Sequence, residues 1–163
     1  MKLKNGINLV TLTVTVFISF ILLTVIITTT NDIRKKALAT SFTNEIKILE
    51  DEVEAKYIQT KTLPTTGSIL TLNQFIALNS DSSKQTDLRN EITLNGDTVN
   101  NFYEIDLSKL NIKNTKYGNE KNSLDKYFLS TNTFNVYYIK GLKIGNNTYF
   151  SITSKIEEIN NEK

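Results

Sequence analysis

The chain has 163 residues, no Cys, no His, one Pro and a formal net charge of +2. That length holds a membrane segment and one modest globular unit. The lack of His removes a histidine base, the Ser-His-Asp triad and most zinc sites, and the near-neutral charge gives no footprint for nucleic acid. Without Cys, an exported head folds without disulfides. No Gly-rich phosphate loop or nucleophile motif stands in the sequence, so the reading is non-enzymatic and implies no cofactor.

The first predicted element is apolar. Ile7 to Thr30 carries no charged residue. As a helix of about 24 residues rising 1.5 Å each, it reaches about 36 Å, enough to cross a hydrocarbon core of about 30 Å. Its threonines are compatible with lipid if each hydroxyl bonds back to a carbonyl one turn earlier. Thr11, Thr15 and Ser19 recur every fourth residue and form one stripe. Two readings stay open: a tolerated Thr-rich span, or a small-residue face for helix packing. The run is longer than a signal-peptide core, and "TTTNDIRKK" at its far end has no small-x-small cleavage site. Lys2 and Lys4 on one side and Arg34, Lys35 and Lys36 on the other leave the orientation unset by charge.

The same helix is expected to continue to about Thr60. Ile33, Ala37, Leu38, Phe42, Ile46, Leu49, Val53 and Tyr57 follow one another mostly at steps of three or four, with Glu45, Glu50 and other charges on the remaining faces. Pro64 prevents easy continuation. "LPTTGS" reads as a loop. "TLNQFIALN" reads as a short helix opened by a Thr71/Gln74 capping box. "SDSSKQTDLRN" reads as polar and exposed, and "EITLNGDTV" as a strand segment with a tight Asn95-Gly96 turn. "NFYEIDL", "KYFLST", "FNVYYIKGLKI" and "NTYFSIT" are rich in aromatic and β-branched residues and predict strands, with "IGNN" as a hairpin turn. Strands in succession without intervening helices predict an antiparallel sheet with one face on the amphipathic part of the long helix. The charged tail "SKIEEINNEK" is expected to fray. The fold class is therefore α+β. The segments are a leader over 1–6, an apolar helix over 7–30, an amphipathic extension over 31–62, a variable linker region over 63–101 and a sheet head over 102–163.

Three weaker signals have competing readings. "GNEKNSLD", 118–125, offers oxygen ligands for calcium, but its few carboxylates favour a simple polar loop. Asn146 in "NNT" fits a glycosylation triplet, with a hairpin turn as the plainer reading. Tyr127, Tyr137, Tyr138 and Tyr149 form either an exposed binding surface or core packing, and packing is favoured.

A basic leader, a glycine, an uninterrupted apolar helix, an amphipathic helix and a small sheet follow in that order. The stretch "KNGINLVTLTVTVFISFILL" resembles the amino-terminal segment of type IV pilins and of type II secretion pseudopilins. The resemblance implies a pilin-like fold and cleavage by prepilin peptidase between Gly6 and Ile7, with N-methylation of Ile7. It implies an assembly helix that includes Leu9, Val10, Thr11, Leu12, Val14 and Thr15. Its partners would be other pilin or pseudopilin subunits, an assembly ATPase with its inner-membrane platform, and membrane lipid, with no nucleic acid bound directly. The precursor would be a single-pass protein of the cytoplasmic (inner) membrane with an extracytoplasmic head, carried to a surface or cell-wall fibre on assembly. Two positions depart from the family pattern. Ile7 replaces the usual Phe or Met, and Thr11 stands where a Glu is usual at the fifth residue after the cut. The second departure fits a minor or tip subunit, or a divergent lineage whose helices pack without that charge. The alternative function is an unprocessed, single-pass, membrane-anchored binding domain at the cell surface, in which Gly6 is incidental.

Overall fold

A computed structural model describes residues 9–98, 101–112, 114–119 and 123–161, with the side chains of 9–11 and 25–29 outside that description. Helix α1 runs unbroken over Leu9–Thr60, about 78 Å at 1.5 Å per residue. Along it, Ser19 Oγ donates to the Thr15 carbonyl at 2.8 Å and Thr24 Oγ1 to the Phe20 carbonyl at 2.9 Å, the back-bonding that threonine-rich apolar helices need. The helix ends as Lys61 turns into the left-handed region at φ 53°, three residues before Pro64.

The buried stripe of α1 is shorter than its sequence periodicity. Ala39, Phe42, Ile46, Leu49 and Val53 are fully buried, at steps of three and four. Ile33 and Ala37, expected on that stripe, are exposed, and Tyr57 keeps 37% of its surface. The head begins to cover the helix only at Leu38, so the apolar spacing before that point joins neither core among the described residues.

The head is built on a four-stranded antiparallel sheet in the order β1-β2-β3-β4: β1 Thr65–Leu70, β2 Phe102–Ile105, β3 Tyr127–Ser130 and β4 Val136–Tyr138. A separate hairpin pairs β5 Leu142–Ile144 with β6 Asn147–Tyr149, so "IGNN" is the turn expected. "LPTTGS", expected as a loop, instead supplies the edge strand β1, with a bulge around Gly67. Its side chains are mostly exposed, and its pairing with β2 rather than its own composition makes it a strand.

Alternate residues of β3 and β4 enter two different cores. Tyr127, Leu129, Val136 and Tyr138 face α1. Phe128 and Tyr137 face a second core with Phe75, Ile76, Leu88 and Ile92. That second core is covered by α2 Leu72–Ala77 and α3 Ser82–Leu94. The sheet thus lies between helices on both faces, which explains why its strands read as continuous aromatic runs.

The polar stretch expected to be exposed folds into α3, capped by Asp81, whose carboxylate accepts from Ser83 N at 2.9 Å. Asn95-Gly96 ends this helix rather than turning a hairpin. Gly96 at φ 76° lets its own N–H reach the Thr93 carbonyl at 3.2 Å and the Asp97 N–H reach the Ile92 carbonyl at 3.0 Å, a Schellman closure. The tail, expected to fray, forms α4 Ser154–Asn161 and seats a fully buried Ile156 against α1. There Asn160 bonds Thr40 and Thr43 at 3.0 and 3.1 Å.

Candidate functional site

Gly6 and Ile7, the predicted processing pair, lie outside the described residues. Leu9, Val10 and Thr11 have a described helical backbone but no described side chains. Leu12 and Val14 are about half exposed, and the Thr15 carbonyl takes the Ser19 hydroxyl. Every large apolar side chain from Leu12 to Leu23 is exposed, from 44% at Val16 to 66% at Phe17. None of them joins either core. Contiguous exposed apolar surface of this kind is characteristic of an interaction surface. Among the described residues no helix is long and apolar enough to cross a membrane.

Two carboxylates of α1 add hydrogen bonds to the apolar joint between helix and head. Glu45 on α1 accepts from Lys116 N at 2.7 Å, from Tyr117 N at 2.9 Å and from the Tyr127 hydroxyl. Glu50, one and a half turns later, accepts from Val136 N at 3.0 Å and so holds the start of β4. Both were expected on solvent faces; both are half-buried at the margin of the stripe. Burial, only partly offset by the Val136 N–H, pushes the Glu50 carboxyl up to about 7.

A second cluster joins α3 to the strands. Glu91 Oε2 accepts from Phe150 N at 2.9 Å and from Ser151 N and Oγ at 3.0 Å. Burial outweighs those bonds and pushes its carboxyl up to about 7. Asp97 has no solvent exposure. It accepts from Ser130 Oγ at 2.6 Å, Thr133 Oγ1 at 2.5 Å, Asn135 Nδ2 at 2.9 Å and the Tyr137 hydroxyl at 2.5 Å. Asn95 donates to the Tyr137 and Ser151 oxygens, at 3.3 and 3.0 Å, and links the two carboxylates into one network. Desolvation, and then the carboxylate each donates to, push the Tyr127, Tyr137 and Tyr138 hydroxyls well above the ordinary phenol value. They act as neutral donors in the interior. The packing reading of these tyrosines and Tyr149 therefore holds: all four are buried.

Of the calcium candidate over 118–125, residues 120–122 lie outside the described chain. Asp125 is buried, takes the Tyr138 hydroxyl at 2.5 Å and faces Lys140 Nζ at 3.6 Å. Among the described residues no group of three or more acidic, His or Cys side chains converges to hold a metal ion. Asn146 sits exposed in the β5–β6 turn. The carboxylate network can thus fix the head on the helix, and the uncovered apolar segment can insert or pack. No family model, curated protein or solved structure matches the chain.

Proposed function

We propose that the chain is a structural subunit of a type IV pilus or a type II secretion-like pseudopilus, in a major, minor or tip position. One observation carries the reading: a single unbroken helix is uncovered and apolar at one end and built into an α+β head at the other. A polypeptide of this shape joins two environments, an apolar one around residues 7–30 and an aqueous one around the head. Prepilin peptidase would cut between Gly6 and Ile7, and the new amino terminus would be N-methylated. The membrane is the first environment of the apolar segment, and the core of a helical fibre is the second. Lipid is as apolar as neighbouring helices, so the transfer gains little hydrophobic free energy. Packing supplies the preference and an assembly ATPase supplies the work. Thr11 offers no carboxylate to the amino group of a neighbouring subunit, so axial register would rest on shape, with Thr11, Thr15 and Ser19 allowing close approach. The head would lie outside the membrane and form the fibre surface.

The test is the intact mass and amino-terminal peptide mass of the protein from its native membrane. A mature chain beginning at Ile7, with or without one added methyl group, is the expected result. A chain that retains Met1 to Gly6 while the host's prepilin peptidase is active overturns the proposal and favours an unprocessed, membrane-anchored binding domain.

A further inference from the structure

A groove of about 310 Å³ opens at the foot of the head, lined by Asn31, Arg34, Lys35, Leu38, Lys143 and Gly145. We infer that this groove binds the phosphate of an anionic phospholipid headgroup. The inference rests on the membrane placement proposed above.

Position is the first argument. The charge-free run ends at Thr30, and Arg34 follows only about 6 Å further along the helix axis. Side chains from Thr30 to Ala37 are exposed, and Leu38 is where the head first packs on α1. The groove therefore sits where the head stops and the bare helix begins, at headgroup height for a helix whose apolar run occupies hydrocarbon. The β5–β6 turn forms the opposite wall. A Cβ placed on Gly145 would come within 3.6 Å of Lys35 Cε, so the hairpin tip passes directly over that lysine stem.

Charge is the second argument. Arg34, Lys35 and Lys143 are exposed cations from two distant parts of the sequence, brought to one groove by the fold. Lys35 shares its charge with Asp32 at 3.2 Å. Neither Arg34 nor Lys143 forms an ion pair with a described residue. Two other grooves of the head carry carboxylates, Asp87 and Glu91 in one and Glu45 in the other. An arginine fork beside two ammonium groups suits a phosphodiester, and cations near a bilayer act on anionic lipid within a Debye length of about 10 Å.

The test uses the full chain reconstituted in vesicles of phosphatidylcholine alone or of phosphatidylcholine with one third phosphatidylglycerol. Flotation reports insertion, and amine-reactive labelling read by mass spectrometry reports each lysine. The expected result is that phosphatidylglycerol slows labelling of Lys35 and Lys143 about fivefold, an effect of the size expected per cation, and that high salt restores it. Lys36, outside the groove, and Lys61, just past the far end of α1, should change little. Arg34→Gln should weaken the protection of Lys143. Equal slowing at Lys36 would mean a diffuse surface field and overturn the site. Equal protection in phosphatidylcholine vesicles with added inorganic phosphate would make soluble phosphate the ligand and overturn the lipid assignment. Flotation with unchanged labelling would remove the groove while leaving the membrane reading intact. A chain that floats with neither vesicle overturns that reading and this one together.

Discussion

Glu91 and Asp97 are buried acidic side chains whose described hydrogen-bond partners are neutral donors rather than cations. Such groups are costly to desolvate and hold their surroundings in one arrangement only while every lone pair is used. Glu91 makes that cost depend on pH. Its carboxyl sits at about 7 in the folded chain against an ordinary 4.5, because desolvation outweighs the three donors on Oε2. Between those two pH values the folded state therefore holds more protons than the unfolded state, and stability falls as pH rises. The contribution is fully present below about pH 4.5 and is lost through about pH 7. Glu50 has the same sign and window. Across it each group removes about 3 kcal/mol, at 1.36 kcal/mol per pH unit. Glu91→Gln keeps an oxygen for Phe150 N and Ser151 but cannot ionise. Urea unfolding should find the variant close to wild type at pH 5 and more stable than wild type at pH 8. A variant that is less stable at pH 8 would show that the ionised carboxylate is the form the fold prefers.

The start of α2 is set locally, by a reciprocal capping box. Gln74 N donates to Thr71 Oγ1 at 3.2 Å, and Thr71 N donates to Gln74 Oε1 at 2.9 Å. The short helix places Phe75 on Phe102, with ring centres 4.5 Å apart and 14° between planes, and edge-on to Tyr137. Thr71→Ala should cost about 1 kcal/mol, read as a lower urea midpoint with unchanged slope. An unchanged midpoint would mean that packing alone fixes α2. This box was legible in the sequence because all its partners lie within four residues, and the helical period over 38–53 was legible for the same reason. Helix α3 was not. Only Leu88, Glu91 and Ile92 are buried, too few apolar positions to announce a helix, and Asn95-Gly96 serves a hairpin or a helix end equally well. Without α3 the second face of the sheet has no full cover, so the strand sequences alone do not announce double-sided burial of β3 and β4. Strand β1 depends on β2 across more than thirty residues, and Ile156 of α4 on α1 across more than a hundred. Nothing in the sequence separated Glu45, Glu50 and Glu91 from other charged residues, because their partners are backbone N–H groups brought in by tertiary structure.

At the scale of the whole molecule, the chain divides by what covers it. No described residue before Leu38 belongs to either core, and the large apolar side chains from Leu12 to Leu23 stay 44% to 66% exposed. Beyond that point, Phe42, Ile46, Leu49 and Val53 each bury an apolar side chain against the head, worth about 1.5–3 kcal/mol apiece. Helix α1 is thus held by tertiary packing over its second half, whereas its first half has intrinsic propensity alone and a surface that water disfavours. A chain beginning at Asn31 should therefore keep the head intact, with a cooperative melt within a few degrees of the full chain in mild detergent and a monomeric elution volume in water. The full chain should self-associate in water and become monodisperse only when detergent or lipid covers residues 12–24. Size-exclusion with light scattering, paired with circular dichroism melts, reads both halves of the expectation. A shortened chain that unfolds or still self-associates would show that the apolar segment is part of the head's own stability or that a second sticky surface lies on the head. A full chain that stays monomeric in water would mean that the exposed apolar surface is covered from within, against the geometry of α1.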